Sequence, residues 1–173
     1  MNERAQPDPP STPRVDKREL MRVVCAELGR TVAALEASSK ATRDGATHEE
    51  ARPENDKDTR GLEASYLARG QAKRVVETRE AAARLSGLAL RTFAPGAPIA
   101  LSALVTVEVD GEEHRYFVVP AAGGLRVSVN GYEVQLITPE SVVGRELMNK
   151  CAGDELEVLI QGRTREYLVR EVD

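Results

Sequence analysis

The chain has 173 residues with a formal net charge of −4 at pH 7, and 41% of its residues are hydrophobic and 30% charged. This length fits one ordinary domain or two small ones and excludes a large multidomain enzyme. Two Phe, four Tyr and no Trp are too few aromatic residues for a stacking platform on single-stranded nucleic acid. The acidic balance also argues against free nucleic acid as a partner.

The first segment, 1–15, contains four prolines and no apolar stretch. It therefore predicts a disordered tail rather than a signal peptide. Apolar runs elsewhere fall far short of the roughly 20 residues that span a bilayer, so we expect no membrane segment and a cytoplasmic protein. Cys25 and Cys151 have no metal-ligand spacing and are expected to be reduced thiols.

Residues 16–43 lack proline and carry apolar side chains three or four positions apart, which predicts an amphipathic helix. The stripe consists of Met21, Val24, Leu28, Val32 and Leu35. A second helical stretch, 56–87, has a stripe of mostly small residues, namely Leu62, Ser65, Tyr66, Ala68, Ala72, Val76 and Ala83. Two helices joined by a short polar connector predict an antiparallel coiled-coil hairpin over 16–90.

The connector between these helices is rich in carboxylates. Gly45 and Pro53 are expected to break the helical pattern there. Five acidic residues lie in this part of the chain, at Glu49, Glu50, Glu54, Asp56 and Asp58. A first helix of about 42 Å, at roughly 1.5 Å per residue, exceeds what a small domain needs, so we expect the hairpin to protrude with an acidic tip near 47–58.

The pattern changes after a proline-rich linker at 91–97. Residues 98–173 alternate apolar and polar side chains around three turn pairs, Asp110-Gly111, Asn130-Gly131 and Gln161-Gly162. Thr138, Pro139 and Glu140 give a helix-start pattern for a short helix through Leu147. The predicted fold class is α+β, with a helical hairpin followed by a small antiparallel β-sheet domain that carries one short helix.

No pattern of an enzyme's own active site is present. Neither His48 nor His114 lies near a candidate nucleophile in the sequence, and no glycine-rich phosphate loop precedes a helix. We therefore expect a protein without catalytic residues of its own. By itself, the acidic connector could be a solvated loop that keeps the hairpin soluble.

The C-terminal half resembles the Gre family of bacterial transcription elongation factors, GreA and GreB among them. The matching residues are Ser141, Gly144, Arg145, Leu147, Gly153, Asp154 and Val158. In the N-terminal half, the family's tip sequence Asp-Leu-Ser-Glu-Asn corresponds to residues 51–55, which read Ala-Arg-Pro-Glu-Asn here. The resemblance implies an FKBP-like C-terminal domain, without prolyl isomerase activity.

The resemblance also implies a function. Gre factors insert their coiled coil into the secondary channel of RNA polymerase, where tip carboxylates share a Mg²⁺ ion and the polymerase cleaves its own backtracked RNA. Here Glu54 and Glu50 would be the metal-facing pair, with Asp56 or Asp58 as substitutes. Ser141, Arg145 and Leu147 would belong to the polymerase-binding part. The protein would then be a monomeric accessory factor that affects nascent RNA indirectly.

One position departs from the family's pattern. Ala51 replaces the first tip Asp and offers no oxygen ligand. Three functions therefore stay open at this point: a factor that stimulates transcript cleavage, a non-cleaving relative that occupies the channel and modulates transcription, and a coiled-coil adaptor protein.

Overall fold

The computed structural model describes residues 15–47 and 60–173. Two long helices come first, α1 (Lys17–Thr47) and α2 (Arg60–Ser86), and a short helix α3 (Val142–Leu147) lies within the C-terminal half. The six strands are β1 (Leu104–Val109), β2 (Glu112–Val118), β3 (Arg126–Val129), β4 (Tyr132–Ile137), β5 (Glu155–Ile160) and β6 (Arg163–Val172). A helical hairpin followed by a sheet with one short helix is the predicted fold class, which is thereby confirmed.

Helix α1 begins after Asp16, whose carboxylate accepts a hydrogen bond from the backbone N–H of Arg18 at 2.8 Å. Its buried side includes Leu20, Val24 and Leu28, and Met21 packs against the same core. The predicted stripe is confirmed at these positions, and Leu20 extends it. The helix continues to Thr47. The prediction that Gly45 breaks it was wrong, because a single glycine costs a helix only about 1 kcal/mol relative to Ala.

Helix α2 presents a different side to its neighbour than the sequence suggested. Val75 and Leu85 are buried, whereas Tyr66 and Val76 are 64% and 52% exposed. The predicted stripe was therefore wrong at Tyr66 and Val76, whereas its members Ala68 and Ala72 are half-buried. The predicted stripe consisted mostly of small residues, so the sequence of this helix did not define one strongly apolar face, and the packing against α1 selected Val75 over the adjacent Val76.

The two long helices pair antiparallel. The Arg79 guanidinium forms an ion pair with the Glu36 carboxylate, and the Gln71 side-chain amide donates to the Ser38 hydroxyl at 3.2 Å. Leu28 is the last α1 residue in the core shared with the sheet. The 19 residues from there to Thr47 extend about 28 Å at roughly 1.5 Å per residue, so the hairpin protrudes from the body.

Gly29 offers a test of this exposed part of the hairpin. It lies inside α1, and a Cβ atom added there would meet nothing within 4 Å. Gly29→Ala is expected to raise the free energy of unfolding by about 0.5–1 kcal/mol, since Ala loses less backbone entropy than Gly. Urea denaturation measures the change. Gly111→Ala is the opposite control: with φ at +84°, it should destabilise the protein.

The six strands form one sheet in the order β3-β4-β2-β1-β6-β5. The three predicted turn pairs connect β1 to β2, β3 to β4 and β5 to β6, and both residues of each pair have positive φ, as a type I′ hairpin requires. One expectation was wrong: β2 and β4 run parallel. The β3-β4 hairpin folds back so that its second strand lies inside, and the sheet is therefore mixed.

Side chains on the two sides of the sheet enter two cores. Phe117, Val134 and Leu136 face the base of the hairpin, where Leu20 and Leu85 join them. Strand residues that point the opposite way form a second core, to which α3 contributes Leu147. Its strand members include Val105, Tyr116, Val118 and Tyr167. Helix α3 closes this second side. Within the described residues, no helix is long and apolar enough to cross a membrane.

Candidate functional site

The predicted tip residues Glu50, Glu54, Asp56 and Asp58, and the departure at Ala51, lie outside the described residues. They belong to the segment 48–59, which connects the end of α1 at Thr47 to the start of α2 at Arg60. These are the helix ends remote from the sheet.

The carboxylates of the described residues do not form a metal centre. No group of three or more His, Cys, Asp or Glu side chains within 15–47 and 60–173 could hold a metal ion. The connector carries several Glu and Asp side chains, whose carboxylate oxygens are the kind of ligand that Mg²⁺ prefers.

Helix α3 is positioned by Ser141. Its hydroxyl accepts a hydrogen bond from the Gly144 N–H at 3.0 Å and donates one to the Thr138 carbonyl at 2.8 Å. Ser141 is thus the N-cap, and the predicted start at Thr138 was wrong. Residues 138–141 instead form a turn, closed by a bond from the Ser141 N–H to the Thr138 carbonyl, and the capped helix follows.

Gly144 and Leu147 are fixed by packing. A Cβ atom at Gly144 would lie 1.9 Å from the Thr138 carbonyl oxygen, so no other residue fits there. Leu147 is fully buried in the second core. Both residues are buried, so neither is open to a partner.

The exposed residues of this helix are Val142, Arg145 and Glu146. Arg145 reaches back along the surface, where its Nη1 donates to the Glu140 carbonyl at 3.0 Å. Val142 is 47% exposed. Of the three predicted contact residues, Arg145 is therefore the one that a partner protein can reach directly, while Ser141 and Leu147 hold the helix that carries it.

A cleft of about 630 Å³ opens beside the start of α3, and Ser141, Val142 and Val143 form part of its wall. Tyr116 and Tyr167 line it as well, and their phenol groups share a hydrogen bond. Burial, with this hydrogen bond, raises the pKa of Tyr116 well above its ordinary value. Its hydroxyl consequently stays protonated in any physiological buffer.

Among the described residues, the same cleft is lined by two arginines, Arg126 and Arg165, and by no carboxylate. Their acidic partners stand outside it: Glu133 lies 3.3 Å from Arg126 and Asp110 lies 3.9 Å from Arg165. These pairs are solvent-exposed, and such ion pairs contribute about 0–1 kcal/mol, so a carboxylate entering the cleft could replace them. The cleft therefore presents positive charge to a group that enters it.

Sequence reasoning did not find this cleft. Tyr116 and Tyr167 belong to β2 and β6, which lie on either side of β1. The alternation in both strands does indicate that each tyrosine points inward, and this was the available signal. That the two point into the same cleft depends on the strand order, which the alternation does not encode.

The fold is thus a helical hairpin mounted on one side of a mixed sheet, with a short capped helix and a cleft on the other side. No protein-family model matches the sequence, and no curated protein matches it.

Solved structures of transcription factors are similar to it. "GreA factor homolog 1 (Gfh1)" of Thermus thermophilus has 20% sequence identity, with 86% of this chain and 94% of that chain covered and a TM-score of 0.37. Gfh1 of Thermus aquaticus has 19% identity, with 85% and 92% covered and the same TM-score. The transcription elongation factor GreA/GreB from Nitrosomonas europaea has 22% identity, with 55% and 78% covered and a TM-score of 0.35.

Proposed function

We propose that this chain is a Gre-type accessory factor of bacterial RNA polymerase. The C-terminal domain would bind the enzyme, and the hairpin would enter its secondary channel. The observation that carries the proposal is the protruding hairpin: two helices paired beyond the sheet, with the carboxylate-rich connector between their remote ends. A stiff arm with acidic groups at its end suits delivery of oxygen ligands into a cavity of another protein.

The proposed ligands are Glu54 and Glu50, with Asp56 or Asp58 as substitutes. When bound there, a shared Mg²⁺ would supply Lewis-acid chemistry and an activated water for RNA hydrolysis in the polymerase. The carboxylates of a single loop seldom hold Mg²⁺ by themselves, because the ion keeps several of its waters. The chain's own contribution is therefore to place its carboxylates, and the polymerase would carry out the hydrolysis.

A second candidate is a factor that occupies the channel without stimulating cleavage. Ala51, which lacks the oxygen of the family's first tip Asp, favours it. Both candidates require binding of the polymerase, and they differ in the fate of the RNA. A coiled-coil adaptor with no polymerase binding is the third.

Backtracked elongation complexes test the proposal. The cognate RNA polymerase is halted on a scaffold whose RNA 3′ end is displaced, and shortening of 5′-labelled RNA is followed with and without the protein. If the tip delivers ligands, the wild-type chain accelerates shortening, and Glu54→Gln lowers that acceleration about 10-fold or more, since a neutral amide is a much weaker ligand for a hard cation. Glu63→Gln, in the first turn of α2, is the matched control and should retain the acceleration.

Other outcomes separate the alternatives. Binding with unchanged or slower shortening identifies the channel-occupying factor. Absence of binding to the polymerase contradicts both polymerase functions and leaves the adaptor.

Arg145 is expected to contribute to polymerase binding. Its side chain is exposed and hydrogen-bonds a backbone carbonyl, so Arg145→Ala should change the free energy of unfolding by less than about 0.5 kcal/mol. The same change should weaken polymerase binding about 5-fold or more if a charged contact is lost. Fluorescence anisotropy with labelled protein measures the affinity. Arg163→Ala, exposed at the β5-β6 turn, is the control, and equal affinities of the two variants would contradict this assignment.

A further inference from the structure

Lys17 stands at a position where a lysine is unfavourable by local rules. It is the first residue of α1, and a cation at a helix N-terminus opposes the helix dipole. It is also half-buried, and burial lowers the pKa of its ammonium group, an effect that the charge of Asp173 partly offsets. Because the helix dipole and burial both disfavour a charged ammonium group here, Lys17 needs contacts that compensate for them.

Those contacts join three separate parts of the chain. The Lys17 ammonium donates to the Arg91 carbonyl at 2.7 Å and to the Ser102 carbonyl at 3.1 Å. It also lies 4.8 Å from the centre of the Phe93 ring, within the range of a cation–π interaction. Arg91 and Phe93 belong to the segment between α2 and β1, and Ser102 lies just before β1.

The acceptor side is itself held in place. The Arg91 N–H donates to the Ser102 hydroxyl at 2.9 Å, which fixes the two carbonyl-bearing segments relative to each other. Ser102 is fully buried and has a positive φ of 70°, a conformation that costs energy in a residue other than glycine. The strained loop aims its carbonyl at Lys17.

We propose that Lys17 is a positioning residue that fixes the angle at which the hairpin leaves the sheet. The apolar contacts of Leu20, Val24 and Leu85 attach the hairpin to the sheet, but hydrophobic contact is non-directional and tolerates sliding. The bonds from Lys17 to two carbonyls are directional, and they join the first turn of α1 to the segments that lead into β1. Lys17 thereby determines where the far end of the hairpin points, which goes beyond the proposed function and does not depend on it.

Spin-label distances in the free protein test this role. Labels are placed on Ala37→Cys in the hairpin and Glu157→Cys on the sheet, in a background where Cys25 and Cys151 are replaced by Ala. Ala37 lies about 30 Å along α1, so a swing of about 10° at the junction moves it by about 5 Å. Lys17→Met, which keeps the apolar stem and removes the charge and the donors, is expected to broaden the distance distribution by about this amount.

Three comparisons make the result decisive. Arg18→Met changes the exposed neighbour and should leave the distance distribution unchanged. Lys17→Arg keeps a charged donor and should give a distribution nearly as narrow as that of the wild type. Hydrogen exchange at Val105 and Val107, in the opposite core, should stay within a factor of about three of wild type in Lys17→Met. The proposal is overturned if Lys17→Met leaves the distance distribution unchanged or if Arg18→Met broadens it equally. It is also overturned if Lys17→Arg fails to narrow the distribution or if Lys17→Met loses hydrogen-exchange protection generally.

Discussion

Leu20→Ala is expected to lower the free energy of unfolding by about 2–5 kcal/mol, the range measured for fully buried leucines in protein cores. Leu20 has no exposed surface and lies in the core that joins the hairpin to the sheet, with Leu85 and Phe117. The loss combines the transfer of the removed methyl groups with the cavity left behind. Urea denaturation followed by circular dichroism measures it.

Leu159→Ala is the matched control for this prediction. Leu159 lies in β5 and is 64% exposed, so the same chemical change should cost less than about 0.5 kcal/mol. A loss below about 1 kcal/mol in Leu20→Ala would contradict the placement of this residue at the centre of the junction.

Gly144→Ala is expected to destabilise the C-terminal domain by about 3 kcal/mol or more, at the upper end of what overpacking costs. The added Cβ atom would lie 1.9 Å from the Thr138 carbonyl oxygen and 2.8 Å from the Ser141 hydroxyl. Both atoms belong to the turn that starts α3, so the turn must move and the cap must break. Thermal unfolding and the near-ultraviolet signal of the buried tyrosines measure the loss.

Gly87→Ala serves as the control for Gly144→Ala. Its added Cβ atom would meet neighbours at 3.8 and 3.9 Å, which is ordinary van der Waals contact. We expect a change within about 1 kcal/mol there. If Gly144→Ala were tolerated as well as Gly87→Ala, the close packing of α3 on residue 138 would be wrong.

Part of the candidate site was predictable from the sequence because its signals are local. The match around Ser141, Gly144 and Arg145 indicated a short helix. In the structure Ser141 caps the helix, Gly144 occupies a position that admits no side chain, and Arg145 is an exposed cation. The cleft was not predictable, since Tyr116 and Tyr167 meet only through the strand order. The roles of Glu50 and Glu54 stay predictions of the resemblance.

The sequence alone determined the helical hairpin, the three β-turns and the α+β class, because apolar periodicity and pairs such as Asn130-Gly131 act over a few residues. Tertiary structure decided the side that α2 buries, the parallel pairing of β2 with β4, and the contacts of Lys17 with carbonyls 74 and 85 positions away. The physical reason is the same in each case. Several local arrangements satisfy the same pattern, and contacts between residues distant in the chain select one of them.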